Sequence, residues 1–348
     1  MIVKHEVKKI LIIKLRGIGD VVLSTIVLDN LKKDFPSAQI DFLTEKPSNI
    51  FLSTLPQIDN VILFNKGNLI SRAKQILEIR KKRYDLILDF YTNPATALLT
   101  RLSGAKYKAG FPYGSRKSAY NIWGPEERDK YHAAQLHLEF LKKNGLSHSA
   151  KSLYFYLEEI DNSFLFNELS EIISKNKLLI GISPSGGWKS KKCDPEKFAE
   201  IADAVVEKYD AQFLILWGPG DYDEAVKIRK LMKSEPALAP KTDIIGMGAC
   251  IEYCDILIAN DSGPMHISTA LGTPVLSLHG PTDPNLQGPY GDKHEWIHKD
   301  DLDCIVCNLL ECPKNHECFL ELDINEILDK VESLLKKNNI KFTVNEKN

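Results

Sequence analysis

The sequence predicts an α/β protein made of two doubly wound domains, each with a parallel sheet. Short apolar runs alternate with amphipathic helical patterns, and the alternation comes in two series, one starting near Ile10 and one near Leu178. The length points the same way, because 348 residues exceed one ordinary domain and suit two.

The first series opens with residues 10–13, an unbroken apolar run of the kind found in strands covered on both faces. A glycine turn at Gly17 and Gly19 follows, and a helical pattern of Val21, Val22, Ile26, Leu28 and Leu31 starts at Asp20. Strand-like runs recur at 40–43, 61–64 and 86–89, with an amphipathic helix over 70–82. The second series places strands at 179–182, 213–216, 256–258 and 274–278. Its helices span 195–209, a stretch ending at Met232, and 264–271. Residues 158–176 are charged and contain asparagine, so a helix and the domain boundary are expected there, giving domains 1–160 and 161–322. Residues 323–335 read as one amphipathic helix with a polar, frayed tail behind it, so 323–348 is expected to be a C-terminal extension. Alternating strands and helices give Rossmann-like domains, and such sheets bind ligands at the carboxyl ends of their strands. The two sheets are expected to face a central cleft, with function in the loops after the strands.

Composition narrows the class. Hydrophobic residues make up 43% and charged residues 26%, an ordinary globular balance that lets each half bury its own core. The formal net charge of -2 argues against nucleic acid as a partner. The start of the chain is charged and lacks a signal-peptide pattern, and no apolar run is long enough to span a bilayer. A cytoplasmic location is therefore expected, where the seven cysteines would not form disulfides.

Three loops carry the chemistry. Lys14-Leu-Arg-Gly-Ile-Gly-Asp20 joins the first strand to the first helix, and its glycines let backbone approach a ligand. Asp20 either caps that helix or serves as a base in the cleft. Val22 stands where a dinucleotide fingerprint needs its third glycine, and no clear ribose-binding acid follows the second strand, where Thr44 precedes Glu45. Both points count against a nicotinamide-dependent oxidoreductase. The second loop, 183–192, holds hydroxyls including Ser185, two glycines, and lysines 189, 191 and 192, a mixture that suits a phosphate cradle or a solvated basic loop. In the third, 260–266, Ser262 and Gly263 leave backbone N–H groups free at a helix start, which favours a diphosphate. Thr282 can add a hydroxyl to the same site, and His266 is either structural or a secondary ligand contact. Two Asp-x-Asp pairs, Asp221/Asp223 in a helix first turn and Asp301/Asp303 in a polar loop, read as structural rather than metal-binding.

Taken in order, Arg16-Gly-Ile-Gly-Asp20, the lysine loop ending Lys192-x-x-Pro195, and Asn260-Asp-Ser-Gly-Pro-Met-His266 followed by Gly280-Pro-Thr-Asp-Pro284 resemble the ADP-heptose:lipopolysaccharide heptosyltransferase family, glycosyltransferase family nine. The resemblance runs from about Ile10 to Leu335. It implies a GT-B fold, with the acceptor on the N-terminal domain and the nucleotide sugar on the C-terminal one. It implies inverting transfer of heptose from ADP-heptose to a lipid A–Kdo-type acceptor of the lipopolysaccharide inner core, with no cofactor required for catalysis. By position it implies Asp20 as general base, Lys192 on the donor phosphates, and Asp261, Ser262 and Gly263 near the donor diphosphate and sugar. Glu224 falls where the family reaches the donor ribose, and Ser185, His266 and Thr282 complete the expected donor set. One departure stands out: the family usually carries Trp before the proline of the lysine loop, and here that residue is Asp194. A family-nine transferase with another nucleotide sugar or a protein acceptor, and a non-catalytic nucleotide-sugar-binding protein, are the alternatives.

Cys304-x2-Cys307-x4-Cys312-x5-Cys318 can fold round a tetrahedral structural ion, zinc by default and iron otherwise, or be a set of free surface thiols. Cys250 and Cys254 are expected to flank an apolar turn as ordinary buried residues. The run Arg80-Lys81-Lys82-Arg83, with Arg101, Lys106, Lys108, Arg116 and Lys117, suits either solvated helix ends or peripheral contact with anionic groups at the inner face of the inner membrane.

Overall fold

The computed structural model describes residues 2–157, 163–174 and 176–345. The chain forms two compact units, Met1–Tyr156 and Leu157–Asn348. The boundary expected between residues 160 and 161 lies outside the described residues.

In the first unit Lys9–Ile13 (β1), Gln39–Thr44 (β2), Asn60–Leu63 (β3), Leu86–Asp89 (β4), Tyr107–Gly110 (β5) and Ile122–Trp123 (β6) form one sheet in the order β3-β2-β1-β4-β5-β6. Every pairing is parallel. From Ile10 to Ile13 and from Leu86 to Asp89 every residue is buried, as expected of central strands with helices on both faces. The winding reverses between β1 and β4, and the register Ile13↔Asp89 sets the carboxyl ends of these two strands side by side.

The second unit repeats the plan. Leu178–Ser183 (β7), Ala211–Ile215 (β8), Ala237–Leu238 (β9), Ile256–Asn260 (β10), Val275–Leu278 (β11) and Glu295–Ile297 (β12) form a parallel sheet in the order β12-β11-β10-β7-β8-β9. Here the reversal lies between β7 and β10, where Ala259 pairs with Ser183. Phe198, Ile201, Ala202 and Val205 of the Pro195–Lys208 helix pack on Ile180, Ile182 and Phe213. Ile327, Val331 and Leu334 of the Ile324–Lys337 helix join the same core. The C-terminal segment is thus part of this unit, and its tail is pinned as far as Asn345, the last described residue. Thr343 O accepts from Asp210 N at 3.1 Å, and Asn345 N donates to Lys208 O at 2.9 Å.

The helices expected over 70–82, 195–209 and 264–271 form at Leu69–Lys82, Pro195–Lys208 and Gly263–Leu271. The short strands β5, β6, β9 and β12 and the helix Ile244–Tyr253 were not expected from the sequence. That helix contains Cys250 and is closed by Cys254, so both cysteines are buried in and behind a helix and do not flank a turn. Among the described residues, no helix is long and apolar enough to cross a membrane.

Candidate active site

Each unit presents polar side chains at its winding reversal, the place where open α/β sheets bind ligands. In the first unit the chain leaves β1 through Lys14 and turns at Gly17, whose φ of 75° lies in the left-handed region. A Cβ at Gly17 would come within 2.5 Å of Asp20 Oδ2, so this position needs glycine for its backbone and for the carboxylate it makes room for. Gly17 also holds the capping position of the helix Ile18–Ser24, and Asp20 is its third residue. Asp20 is therefore not the N-cap. Its carboxylate is about half exposed, at 47%, and its Oδ1 lies 3.1 Å from the Nζ of Lys14, which is only 10% exposed. Behind this pair sits His137, edge-on to Phe90. Burial, reinforced by the Lys14 charge, pulls its imidazole down to about 3, so it is neutral at ordinary pH. At the end of β4 the buried Asp89 takes N–H bonds from Tyr91 and Thr92 and the Tyr120 hydroxyl, and burial pushes its carboxyl up despite them. At the ends of β2 and β3, Glu45 pairs with Lys66 and lies 3.8 Å from Arg16.

In the second unit Asn260, at the end of β10, staples the reversal together. Its side chain donates to Pro184 O at 3.0 Å and Ser185 O at 3.3 Å, and accepts from Cys193 N at 3.1 Å. The loop after β7 makes one 3₁₀ turn, Lys189–Lys191, which sends two adjacent lysines to different partners. Lys192 Nζ lies 2.7 Å from Glu224 Oε1 and 2.9 Å from Asp221 Oδ1, and Ser185 Oγ donates to Asp221 Oδ2 at 2.6 Å. Burial works against the Lys192 charge, but Glu224 and Asp221 prevail and raise its pKa. Gly186 crosses the Lys192 stem so closely that a Cβ would meet Cγ at 2.5 Å.

Lys191 turns inward. Its Nζ lies 2.6 Å from Asp261 Oδ2 and 4.4 Å from the Trp188 ring centroid. The buried Thr282 donates to the same carboxylate oxygen at 2.6 Å. Burial opposes ionisation of Asp261, but His279 and Lys191 outweigh it and hold the carboxyl below its ordinary range. Burial itself holds His279 down to about 4, so at neutral pH Lys191 is the cation that matters. Next to Asp261, Ser262 starts the helix Gly263–Leu271 without a side-chain cap, and its buried Oγ has no hydrogen-bond partner among the described residues. His266 is buried one turn into that helix.

All eight expected donor-side residues thus lie on loops and first helical turns at the carboxyl edge of the second sheet. Ser185, Lys192 and Glu224 form one polar group, and Asp261, Ser262, Gly263, His266 and Thr282 gather around the other loop. The sequence reading missed Lys191, Asn260 and His279, and it treated Asp221 as a helix-end acid. Asp221 does sit at the N-cap position, but its side chain makes no cap bond and instead binds Ser185 and Lys192. Asp194, in the place of the family's tryptophan, starts the Pro195–Lys208 helix and lies 3.2 Å from His316 Nδ1.

Of the two readings of the cysteine loop, the described residues fit the free thiols. All four thiols are free, and among the described residues no group of three or more His, Cys, Asp or Glu side chains converges as a metal site. The loop is instead tied to the strand-end segment beside it. Val306 N donates to Gly280 O and Asn308 N to Pro281 O, with both residues at positive φ. Cys318 Sγ fills the space over Gly280, 2.6 Å from where a Cβ would stand, while Cys307 points to solvent. A structural zinc or iron at Cys304, Cys307, Cys312 and Cys318 is therefore unsupported among the described residues.

Two like-wound parallel sheets, with an acid at one reversal and a lysine- and hydroxyl-rich cradle at the other, fit a glycosyltransferase of GT-B fold. The profile of glycosyltransferase family 9 (heptosyltransferase) matches residues 72–316, and the chain belongs to that family. Lipooligosaccharide heptosyltransferase 2 of Campylobacter jejuni is 25% identical over 93% of this chain and 97% of its own length. The crystal structure of a family 9 glycosyltransferase from Veillonella parvula superposes with a TM-score of 0.82 at 22% identity, covering 95% of this chain and 97% of that one. The Escherichia coli ADP-heptose lps heptosyltransferase II gives 0.79 at 20% identity, covering 95% and 99%.

Proposed function

We propose that this enzyme transfers a heptose from ADP-heptose to the inner core of a lipopolysaccharide, onto a lipid A–Kdo-type glycolipid, with inversion at the anomeric carbon. The observation that carries the reading is the second unit's split lysine pair. Lys192 is held at the loop edge by Glu224 and Asp221, while Lys191 locks Asp261 beside an uncapped helix start. The names of the Campylobacter jejuni and Escherichia coli relatives support the sugar, the nucleotide and the glycolipid class.

In this mechanism Asp20 accepts the proton of an acceptor hydroxyl as its oxygen bonds to the anomeric carbon. The bond from that carbon to the donor phosphate oxygen breaks, and ADP leaves with the bonding pair. The sugar passes through an oxocarbenium-like state. Lys192 and the helix start at Ser262 and Gly263 stabilise the charge that grows on the diphosphate. Glu224 accepts from the ribose hydroxyls. No cofactor takes part, and the reaction is placed on the cytoplasmic side, with peripheral contact at the inner face of the inner membrane.

The test is a donor panel. The pure protein is incubated with ADP-heptose, ADP-glucose, UDP-sugars and GDP-sugars, with a lipid A–Kdo acceptor, and nucleoside diphosphate release is followed. ADP-heptose turning over fastest, with the heptosylated lipid as product, is the expected result. Preference for another base would point to a reshaped nucleotide pocket, with Asp194 and His316 in place of the family's tryptophan. Transfer to protein alone, or no release from any donor, would overturn the reading.

A further inference from the structure

The first unit has a face that the active site does not use. The helix Leu69–Lys82 buries Gln75 and Ile79 against its own sheet. At 3.6 residues per turn, the opposite side lines up Ile70, Ala73 and Leu77 in one row, with Leu69 beside it. Leu69, Ile70 and Leu77 are 81%, 69% and 56% exposed. The neighbouring helix Pro94–Leu102 exposes Leu98 and Leu102, and Arg80 Nη1 donates to Leu102 O at 3.3 Å, tying the two helices together. Exposed cations flank the apolar row, Lys74 and Lys81 on one side and Arg80 on the other, with Arg101 on the second helix. Glu78 is the one acid of the Leu69–Lys82 helix. Among the described residues no carboxylate forms an ion pair with Lys74, Lys81 or Arg101.

We infer that this face docks on an anionic lipid surface, with the helix lying in the headgroup plane and its leucine and isoleucine side chains reaching the acyl boundary. An apolar row between cations is the pattern of an interfacial helix. The long lysine and arginine stems let their charges reach the phosphates. The same charges argue against a second copy of the chain as occupant, because self-docking would set like-charged rows against each other. The helix begins just after Lys66, which pairs with Glu45 at the carboxyl end of β2. The docked helix therefore starts at the same end of the sheet as the loop that carries Asp20. The docking rests on the proposed function for its peripheral membrane contact, to which it assigns a face, and not on the donor or acceptor named there.

The experiment is flotation of the full chain with phosphatidylglycerol–phosphatidylcholine vesicles and with pure phosphatidylcholine vesicles. The protein is expected to float with the anionic vesicles only. Lys74→Gln and Lys81→Gln should each weaken binding about fivefold. The triple variant Leu69→Gln, Ile70→Gln, Leu77→Gln should weaken it at least about tenfold with an unchanged thermal midpoint, because these side chains are solvent-facing. Leu231→Gln, an exposed leucine of the second unit, should change nothing. The inference fails if the wild type ignores anionic vesicles or if the triple variant floats as well as the wild type. It also fails if the triple variant abolishes a dimer seen by sedimentation while lipid has no effect, which would make the face a self-contact. ADP release with a delipidated, water-soluble acceptor separates the two proposals, since the triple variant should keep full turnover there.

Discussion

Lys191→Met tests the inner half of the donor cradle. The wild-type pair is almost fully buried, with side-chain exposures of 10% for Lys191 and 5% for Asp261 and an N–O distance of 2.6 Å. Methionine keeps most of the stem volume over Trp188 but removes the ammonium. Asp261 is left as a buried carboxylate facing the Thr282 hydroxyl, and leaving one partner of a buried pair costs about 3–5 kcal/mol. For a unit of this size that corresponds to a fall in midpoint of roughly 6–20 °C. Urea unfolding followed by tryptophan fluorescence reads it directly, because Trp188, Trp217 and Trp296 all belong to the second unit.

The pH dependence has a definite sign. In the wild type the Asp261 carboxyl is held below its ordinary range, so its contribution is complete above about pH 4 and is lost as pH falls through the folded value. In the variant, burial is no longer opposed by Lys191, the folded carboxyl rises, and it can take up a proton before the unfolded chain does. The stability gap should therefore be widest near pH 7 and should narrow as pH is lowered toward 5. The double variant Lys191→Met, Asp261→Leu should recover most of the loss, since a buried ion pair can be replaced by apolar groups at little net cost. A single variant within about 0.5 kcal/mol of the wild type at pH 7, or a gap that does not close on acidification, would refute the argument.

Asp20→Asn should lower kcat by about 10²–10⁴-fold while leaving the donor KM nearly unchanged, read by ADP release under saturating donor. Gly17→Ala should cost about 1 kcal/mol of stability from its left-handed φ, and should lower kcat more than that suggests, because the new Cβ displaces the Asp20 carboxylate. Lys192→Met should reduce kcat/KM for the donor by roughly tenfold to a hundredfold, the worth of a charge-assisted contact to phosphate, with little effect on unfolding. Cys307→Ser should leave the thermal midpoint within experimental scatter, whereas Cys318→Ala should lower it, because only Cys318 packs against Gly280; equal losses at all four cysteines would instead reveal a shared metal.

The sequence was readable where one rule acted alone. β1 after Lys9 and β7 before Ser183 carry no polar side chain because helices cover both faces, so their runs stand out, and Asp20 and Asp261 follow from lying just past such strands. β5 and β6 are short, lie toward the sheet edge and contain Lys108 and Trp123, so they show neither an apolar run nor clean alternation. The helix Ile244–Tyr253 is hidden by Gly246 and Gly248, which weaken helix propensity, although Gly246 also leaves room for the Thr242 side chain. Within the site, nothing in the order of Lys191 and Lys192 tells which one enters the core; the 3₁₀ turn that ends between them decides it. Asn260 and His279 did leave a signal, since a fully buried polar residue at a strand end must find partners nearby.

The charge balance of the cradle bears on what it can bind. Asp221, Glu224 and Asp261 outnumber Lys191 and Lys192, so this cluster carries no surplus of positive charge before a ligand arrives. A bare diphosphate would meet these carboxylates at close range and gain little. Under the proposed reading, a nucleotide sugar binds by exchanging partners. Ribose hydroxyls give Glu224 new donors, and Lys192 is released to turn its charge to the phosphates. Lys191 takes no part in the exchange, because its carboxylate partner is buried with it. The adjacent lysines thus divide the work: one keeps the loop in shape, and the other is available to the leaving group only when the nucleoside is already in place.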